Sequence, residues 1–393
     1  MSNYRTRNQT LLAVAESPSG TEGAPTTTAN AIKVKHPVKF GAEPENLETD
    51  YVQESISKSE HIVGGKFGTL EFGGHLRGAG TAGQAPAEGV LYRGCAMSQT
   101  LTAADVTGTA QAGSTGSITL HAGASAVDQA YKGMVLDTTG GTGSGQTVVI
   151  TNYVGGTKVA TIAPVFAPAP DATTTFAIRA NALYKPITVS QETLTLWRYQ
   201  HRNNPAENSR RSRVFGALGN MQIALKNRAF ADINFNFRGI VPAKPDDVAK
   251  PAAAVYVNSP APEKFATAKA YIGAAQVKFE EFSFDLGNEL DQGEDPGAAE
   301  GWDLAQAVDR VSQGRIKPHK QLISAFDPWG DWETMTDRSL WLRWGSAAGK
   351  RVSILCPKIR YNGHEDDEIR KFLADGLPFR AWDPDAEIYM CIH

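Results

Sequence analysis

Two glycine-rich stretches and one acidic run hold the residue types that could support chemistry in this chain. GAGTAG places Gly78, Gly80 and Gly83 at the spacing of a dinucleotide-binding turn. Such a turn works only where a strand enters it and a helix opens inside it, so that the helix N-terminus meets the pyrophosphate. Here Pro86 and Glu88 delay the helix, and no alternating strand–helix units follow. GGTGSGQT (140–147) approaches a phosphate-binding loop but has Gln146 where the motif needs a lysine to meet the β- and γ-phosphates. Its flanks, VLDT and TVVITNY, both read as strands, so a glycine-rich hairpin turn is expected. The run His364, Glu365, Asp366, Asp367, Glu368 lacks the alternating ligands and central glycine of a calcium loop and reads as a solvated turn or a subunit contact. The eight histidines are scattered singly, and their order argues no nucleophile–base set. No catalytic, cofactor-binding or metal-binding residue is assigned, and no enzyme is expected.

What remains is a set of carboxylates on strands. Glu71 lies in GGKFGTLEF, and Glu281 and Asp285 lie in QVKFEEFSFDL. Side chains alternate across a strand, so Glu281, Ser283 and Asp285 point one way while Phe282, Phe284 and Leu286 point the other. The aromatic set must be covered, which leaves the acids on a face open to water. Any solvated face can carry such acids.

The elements that carry these residues are strands and turns. From His61 to Ser98 the chain reads as a strand, a long glycine-rich loop and a short helix, with Pro86 near the helix start and Val90, Leu91, Cys95 and Met97 as its apolar stripe. FADINFNFRG sets Ile233, Phe235 and Phe237 against Asp232, Asn234, Asn236 and Arg238, the pattern of a half-buried strand. Between Leu101 and Ala180 there are fifteen Thr, fifteen Ala and eleven Gly against seven charged residues. Residues 103–180 are therefore read as a small β domain inserted into a loop, which costs little because closure entropy grows only logarithmically with length.

Around the insertion, residues 46–102 and 181–241 read as one discontinuous domain. The polar stretch 1–45 reads as an extended arm, either disordered or ordered only against a neighbouring subunit. A proline-rich linker (242–262) leads to a second domain (263–393) that repeats the first. QVKFEEFSFDLGNEL is matched to GGKFGTLEFGGHL, SLWLRWGSAAGKRVSILCP to TLTLWRY and its continuation, and EIYMCIH to INFNFRG. Asp327 and Pro328 are expected to cap and open a helix in that second domain.

The composition agrees with a mainly β class. At 393 residues the chain can bury more than one core, and a net charge of −3 offers no general attraction to nucleic acid or anionic membranes. Cys95, Cys356 and Cys391 are an odd set at no metal-like spacing, so no disulfide framework is expected and a reducing compartment fits; Cys95 and Cys356, in apolar surroundings, read as buried thiols. No apolar run is long enough to span a membrane, and no ordinary secretion signal is visible.

ETDYVQESIS, GGKFGTLEF, LRGAGTAGQAPAEGVLYRGCAMS and, later, ALYKPITVSQETLTLWRY resemble, in this order, the tail tube (major tail) proteins of long-tailed bacteriophages. The likeness covers most of residues 45–393 apart from the insertion. It implies β-sandwich- or barrel-like domains, each with a short flanking helix, in a subunit that self-assembles into stacked rings. The inner strands of such rings line a channel for phage DNA, which passes without specific binding. It also implies a virion tail location after assembly in the host cytoplasm, contacts with tape-measure and terminator proteins, and no cofactor or membrane partner. Two similar domains per chain would let three copies fill six places, a trimer with pseudo-sixfold symmetry; a hexamer is the alternative. Glu71, Glu281 and Asp285 would then face the lumen, where carboxylates repel phosphates and avoid the counterion-release affinity that lysines create, and the insertion would be an outward knob dispensable for assembly. The competing reading is a carbohydrate- or surface-binding β protein acting through the insertion.

Overall fold

The computed structural model describes residues 3–204, 206–298 and 300–393. The chain is mainly β, built from antiparallel sheets with two short helices among the described residues. In its first half the elements used below are β1 (Gln9–Ala15), β2 (Lys35–Glu48), β3 (His61–His75), α1 (Gly89–Arg93), β4 (Leu194–Gln200), β5 (Ser209–Lys226) and β6 (Asp232–Ile240). In its second half they are β7 (Phe279–Asp285), β8 (Asn288–Glu294), β9 (Trp302–Arg310), β10 (Gln313–Pro318) and α2 (Pro328–Glu333). β11 (Arg338–Trp344), β12 (Val352–Tyr361), β13 (Glu365–Ile369), β14 (Phe372–Ala381) and β15 (Tyr389–Ile392) complete it.

One antiparallel sheet runs through both halves in the order β2–β3–β6–β5–β7–β10–β14–β13. Alternation loads one face with Leu70, Phe72, Ile233, Phe235, Met221, Phe282, Phe284 and Phe379, all buried. The opposite face is polar. The apolar face packs against a second layer containing β11, β12 and β15, which contribute Leu340, Leu342, Val352, Ile354, Met390 and Ile392 to one shared core.

The two halves repeat one plan. The series β2, β3, α1, β4, β5, β6 recurs as β7, β10, α2, β11, β12 with β13, and β14. Four pairings recur with it: β2–β3 as β7–β10, β3–β6 as β10–β14, β4–β5 as β11–β12, and β5–β6 as β13–β14. Just past each helix one residue takes positive φ, Ala96 at 55° and Met335 at 51°. This topology corrects two of the matches drawn from sequence. QVKFEEFSFDL (β7) corresponds to β2 rather than to GGKFGTLEF (β3), and INFNFRG (β6) corresponds to β14 rather than to EIYMCIH. Aromatic alternation reports that one face of a strand is buried, which is common to many positions in a sandwich. α2 starts as expected: Asp327 accepts a hydrogen bond from the Gly330 N–H, with Pro328 in the first turn.

The stretch expected to be an arm is tied into the sheets by strands, though Met1 and Ser2 lie outside the described residues. β1 pairs along its whole length with β4, burying Leu11, Leu12 and Ala13. β2 begins at Lys35, inside the stretch assigned to the arm, and Asp246–Val248 in the expected linker pairs with the start of β5. Burial of Leu11–Ala13 needs a partner strand far along the chain, which a local reading of polar composition misses. Glu16 secures the end of β1. Its carboxylate accepts from the Thr193 and Thr195 hydroxyls at 2.6 and 2.8 Å and from the Gly20 and Gly216 N–H groups at 2.8 and 2.7 Å. Glu16→Ala leaves the Thr193 and Thr195 hydroxyls and the Gly216 N–H without this acceptor in a buried site, while the Gly20 N–H keeps the Thr193 oxygen at 3.3 Å, and the expected cost is about 3 kcal/mol of stability, read by urea denaturation.

Residues 106–178 form their own seven-stranded sheet, and Gly-rich turns separate its strands Val135–Gly140, Thr147–Val154 and Val159–Ala163. Its core is not self-contained. Val135, Ile150 and Phe176 share a cluster with Leu183, Trp341, Leu355, Tyr389 and Cys391, which lie on the side of the second layer remote from the polar face. Lys132 adds an ion pair to Asp383 at 3.0 Å, which also binds Lys358 at 2.8 Å. Replacing 103–180 by a short Gly/Ser linker would expose Trp341, Leu355 and Tyr389. The expected result, seen by light scattering and apolar dye binding, is aggregation of the shortened chain, in place of the free dispensability the sequence suggested.

Candidate functional site

The strand register gathers the three carboxylates singled out in the sequence onto one surface. Phe235 lies opposite Phe72 and Asn236 opposite Glu71; Asn236 in turn faces Asn220. One step along β5, Gln222 lies opposite Asp285, and Lys226 lies opposite Glu281. Glu71, Glu281 and Asp285 thus share the polar face of the long sheet, although the first belongs to one half of the chain and the others to the second.

Their electrostatic setting differs from a bare carboxylate surface. Glu71 meets Lys39 at 3.1 Å, and Asp232 meets Lys35 at 2.8 Å and His75 at 2.9 Å. Burial lowers the His75 pKa, opposed by its hydrogen bond to Asp232. Asp285 accepts from the Asn220 and Gln222 amides, each at 2.8 Å, and from the Gly287 N–H at 2.9 Å. Ser283 lies opposite Arg315 on the next strand. The face is therefore a mosaic in which Glu71 and Asp232 pair with lysines, Asp285 is hydrogen-bonded by the amides of Asn220 and Gln222, and Asn234, Asn236 and Gln313 add further amides. Sequence reasoning singled out the acids and missed the amides and lysines. The alternation INFNF carried the signal for Asn234 and Asn236, but nothing local places Lys35 and Lys39 beside them.

The stretches that hinted at other chemistry are accounted for structurally. Gly78 sits with its Cα hydrogens against the Gly349 carbonyl, and Gly80 and Gly83 take φ of 85° and 75°. That loop packs on residues 349–350, and the helix after it spans only Gly89–Arg93. Beneath it, Arg77 and Glu88 form a buried pair at 3.1 Å, and burial raises the Glu88 pKa. The Gly140–Thr147 stretch is a hairpin turn whose Gln146 amide donates to the carbonyls of Gly143 and Pro168 at 2.8 and 2.9 Å. The acidic run forms β13. His364, Asp366 and Asp375 converge there, but Lys320 already supplies the cation, pairing with Asp366 and lying 3.7 Å from Asp375. Cys95, Cys356 and Cys391 are free and buried, and burial pushes all three thiols up, Cys391 to about 12.

No protein-family model matches this chain, and no curated protein matches it.

Charge cancellation on the polar face makes a measurable prediction. The variant Glu71→Gln, Asp232→Asn, Glu281→Gln removes the ion-pair partners of Lys39 and Lys35 and the carboxylate opposite Lys226 in the strand register. It is expected to bind duplex DNA with a log K against log salt slope of about −2 to −3, one release of ~0.9 counterion per lysine. Fluorescence polarisation at low salt should show this for the variant and none for the parent.

Proposed function

We propose that this chain is a structural, self-assembling tube subunit of the phage-tail type, with the polar face of the long sheet turned to the bore. The observation that carries the reading is the junction of the two halves. β5, the last strand of the first repeat's sheet, pairs with β7, the first strand of the second, from Gln222↔Asp285 to Lys226↔Glu281. The same step leaves two free edges. Among the described residues β2 pairs only with β3, and β13 only with β14. β13 is acidic (Glu365–Glu368), whereas the start of β2 and the residues before it carry Lys33, Lys35, His36 and Lys39, the acids of β2 lying toward its far end. Pro37 and Pro44 interrupt the β2 edge, leaving Val38–Glu43 as the run able to accept a further strand.

A chain whose two halves join head to tail, and whose outer edges match in the same sense, repeats that join between copies. Three copies supply six such sheets, a closed barrel with pseudo-sixfold symmetry. The order of sequence blocks that resembles phage tail tube proteins supports the same reading, as does a polar face on which Lys35 and Lys39 are already paired with acids, since a bore that conducts DNA must not hold it. On this reading the stacked rings sit in a virion tail, assemble in the host cytoplasm and meet tape-measure and terminator proteins at their ends. The insertion stands on the side of the fold away from the bore.

Negative-stain end-on views and light scattering on the purified protein test the proposal. Rings of three chains, with six lobes alternating between two shapes, are expected. Six chains per ring would replace the trimer, and a chain that stays monomeric at all concentrations would overturn the tube reading.

A further inference from the structure

The internal repeat also shows what covers one exposed groove. Resting on the ring reading above, we propose that the β2–β3 hairpin tip of one copy docks on a tryptophan- and arginine-rich groove in the second half of the next, with Glu48 pairing to Arg380.

The template is the junction inside the chain. Beyond the long sheet, β7 and β10 continue into the hairpin β8–β9, which folds back over the first half. There Ala305, with Leu290 and Ala307 beside it, buries against Ala96 and Leu218. Arg238 donates to the Gln292 side-chain oxygen at 3.1 Å, so a cation of one repeat takes its partner from the hairpin of the next.

Both sides of this contact have counterparts. β2–β3 extends past the sheet as β8–β9 does, with the same register and an irregularity at the same step. Pro44↔Lys66, Asn46↔Val63 and Glu48↔His61 match Asn288↔Arg310, Leu290↔Ala307 and Gln292↔Ala305. Glu48 therefore stands where Gln292 stands, and Val63 where Ala307 stands. On the receiving side, Leu218↔Arg238 matches Arg360↔Arg380, and the positive-φ residue Ala96 matches Met335.

In the first half these positions are covered; in the second they are open. Trp332, Met335, Arg360, Arg380 and Trp382 line a groove of about 530 Å³, with Met335 70% exposed. Arg360 lies over the Trp382 ring and is held by Asp337, whereas Arg380 has no hydrogen-bond or ion-pair partner among the described residues. The hairpin tip is equally uncovered. Leu47, Ile62 and Val63 are each more than half exposed, and Glu43, Glu48, Asp50, Glu54 and Glu60 make the tip acidic. Among the described residues the Glu48 carboxylate is held by an exposed pair to Lys58, a contact worth little in water, so exchanging that partner for Arg380 costs little. Tryptophan, methionine and arginine are the residues enriched where protein surfaces meet. An acidic, apolar hairpin thus fits a basic, aromatic groove, in the place where the chain's own repeat already makes that contact.

The test uses the full chain. Glu48→Arg and Arg380→Glu should each raise the concentration at half-assembly about tenfold, and the double variant should restore it to within about threefold of the parent. Because the native cysteines are buried, chains carrying only Val63→Cys, mixed with chains carrying only Met335→Cys, should form a disulfide-linked heterodimer on mild oxidation. Rings that assemble normally in both single charge variants, with no cross-link in the mixture, would overturn the docking and leave the ring reading intact. A parent chain that forms no rings would overturn both.

Discussion

Strand pairing between β5 and β7 is the contact on which the rest of this structure depends. It is an edge-to-edge join between two similar sheets, so its hydrogen bonds fix how the two halves of the chain sit together. It puts Ile223 beside Phe284 and Leu225 beside Phe282, merging the apolar faces into one core. It also puts Gln222 beside Asp285, merging the polar faces into one surface. A displacement of this join by one residue would turn every aromatic of β7 toward water, because side-chain direction along a strand has a period of two.

The layers behind the long sheet follow from that arrangement. β11, β12 and β15 bury one face on the shared core, with Leu340, Ile354 and Met390. They bury the other on the inserted sheet, with Trp341, Leu355 and Tyr389. A strand apolar on both faces cannot stand at a surface, so the insertion serves as the third layer of the sandwich. The Lys132–Asp383–Lys358 group lies at the edge of this contact and gives it a fixed orientation.

The polar face shows how a surface can carry many charges and little field. Glu71 with Lys39, Asp232 with Lys35, and Asp285 with two amides are neighbours across strands, so each charge is answered within hydrogen-bonding distance. A phosphate more than a Debye length, roughly 8 Å, from such paired charges would meet little of their field. In the proposed tube this suits passage better than a uniformly acidic wall, which would itself demand counterions. The groove beside Arg380 differs, holding a cation whose side chain has no partner among the described residues, at a position whose counterpart, Arg238, has one.

By itself the sequence determined what depends on near neighbours. Period-two alternation in INFNFRG and FEEFSFD told which side chains are covered, and Asp327–Pro328 marked a helix start. The change of composition near residues 103 and 180 marked an insertion, because these signals are written within a few residues. Placing Glu71 beside Asn236, Lys39 beside Glu71, and Leu12 beside Trp197 required pairings between segments up to almost two hundred residues apart. The same holds for the matching of repeats. β2 and β7 share little in their residues, and only their equivalent places in the sheet reveal the correspondence. Alternation constrains which face a strand buries, but a hydrogen-bond ladder accepts any strand of suitable pattern, so the choice of neighbour belongs to the tertiary structure.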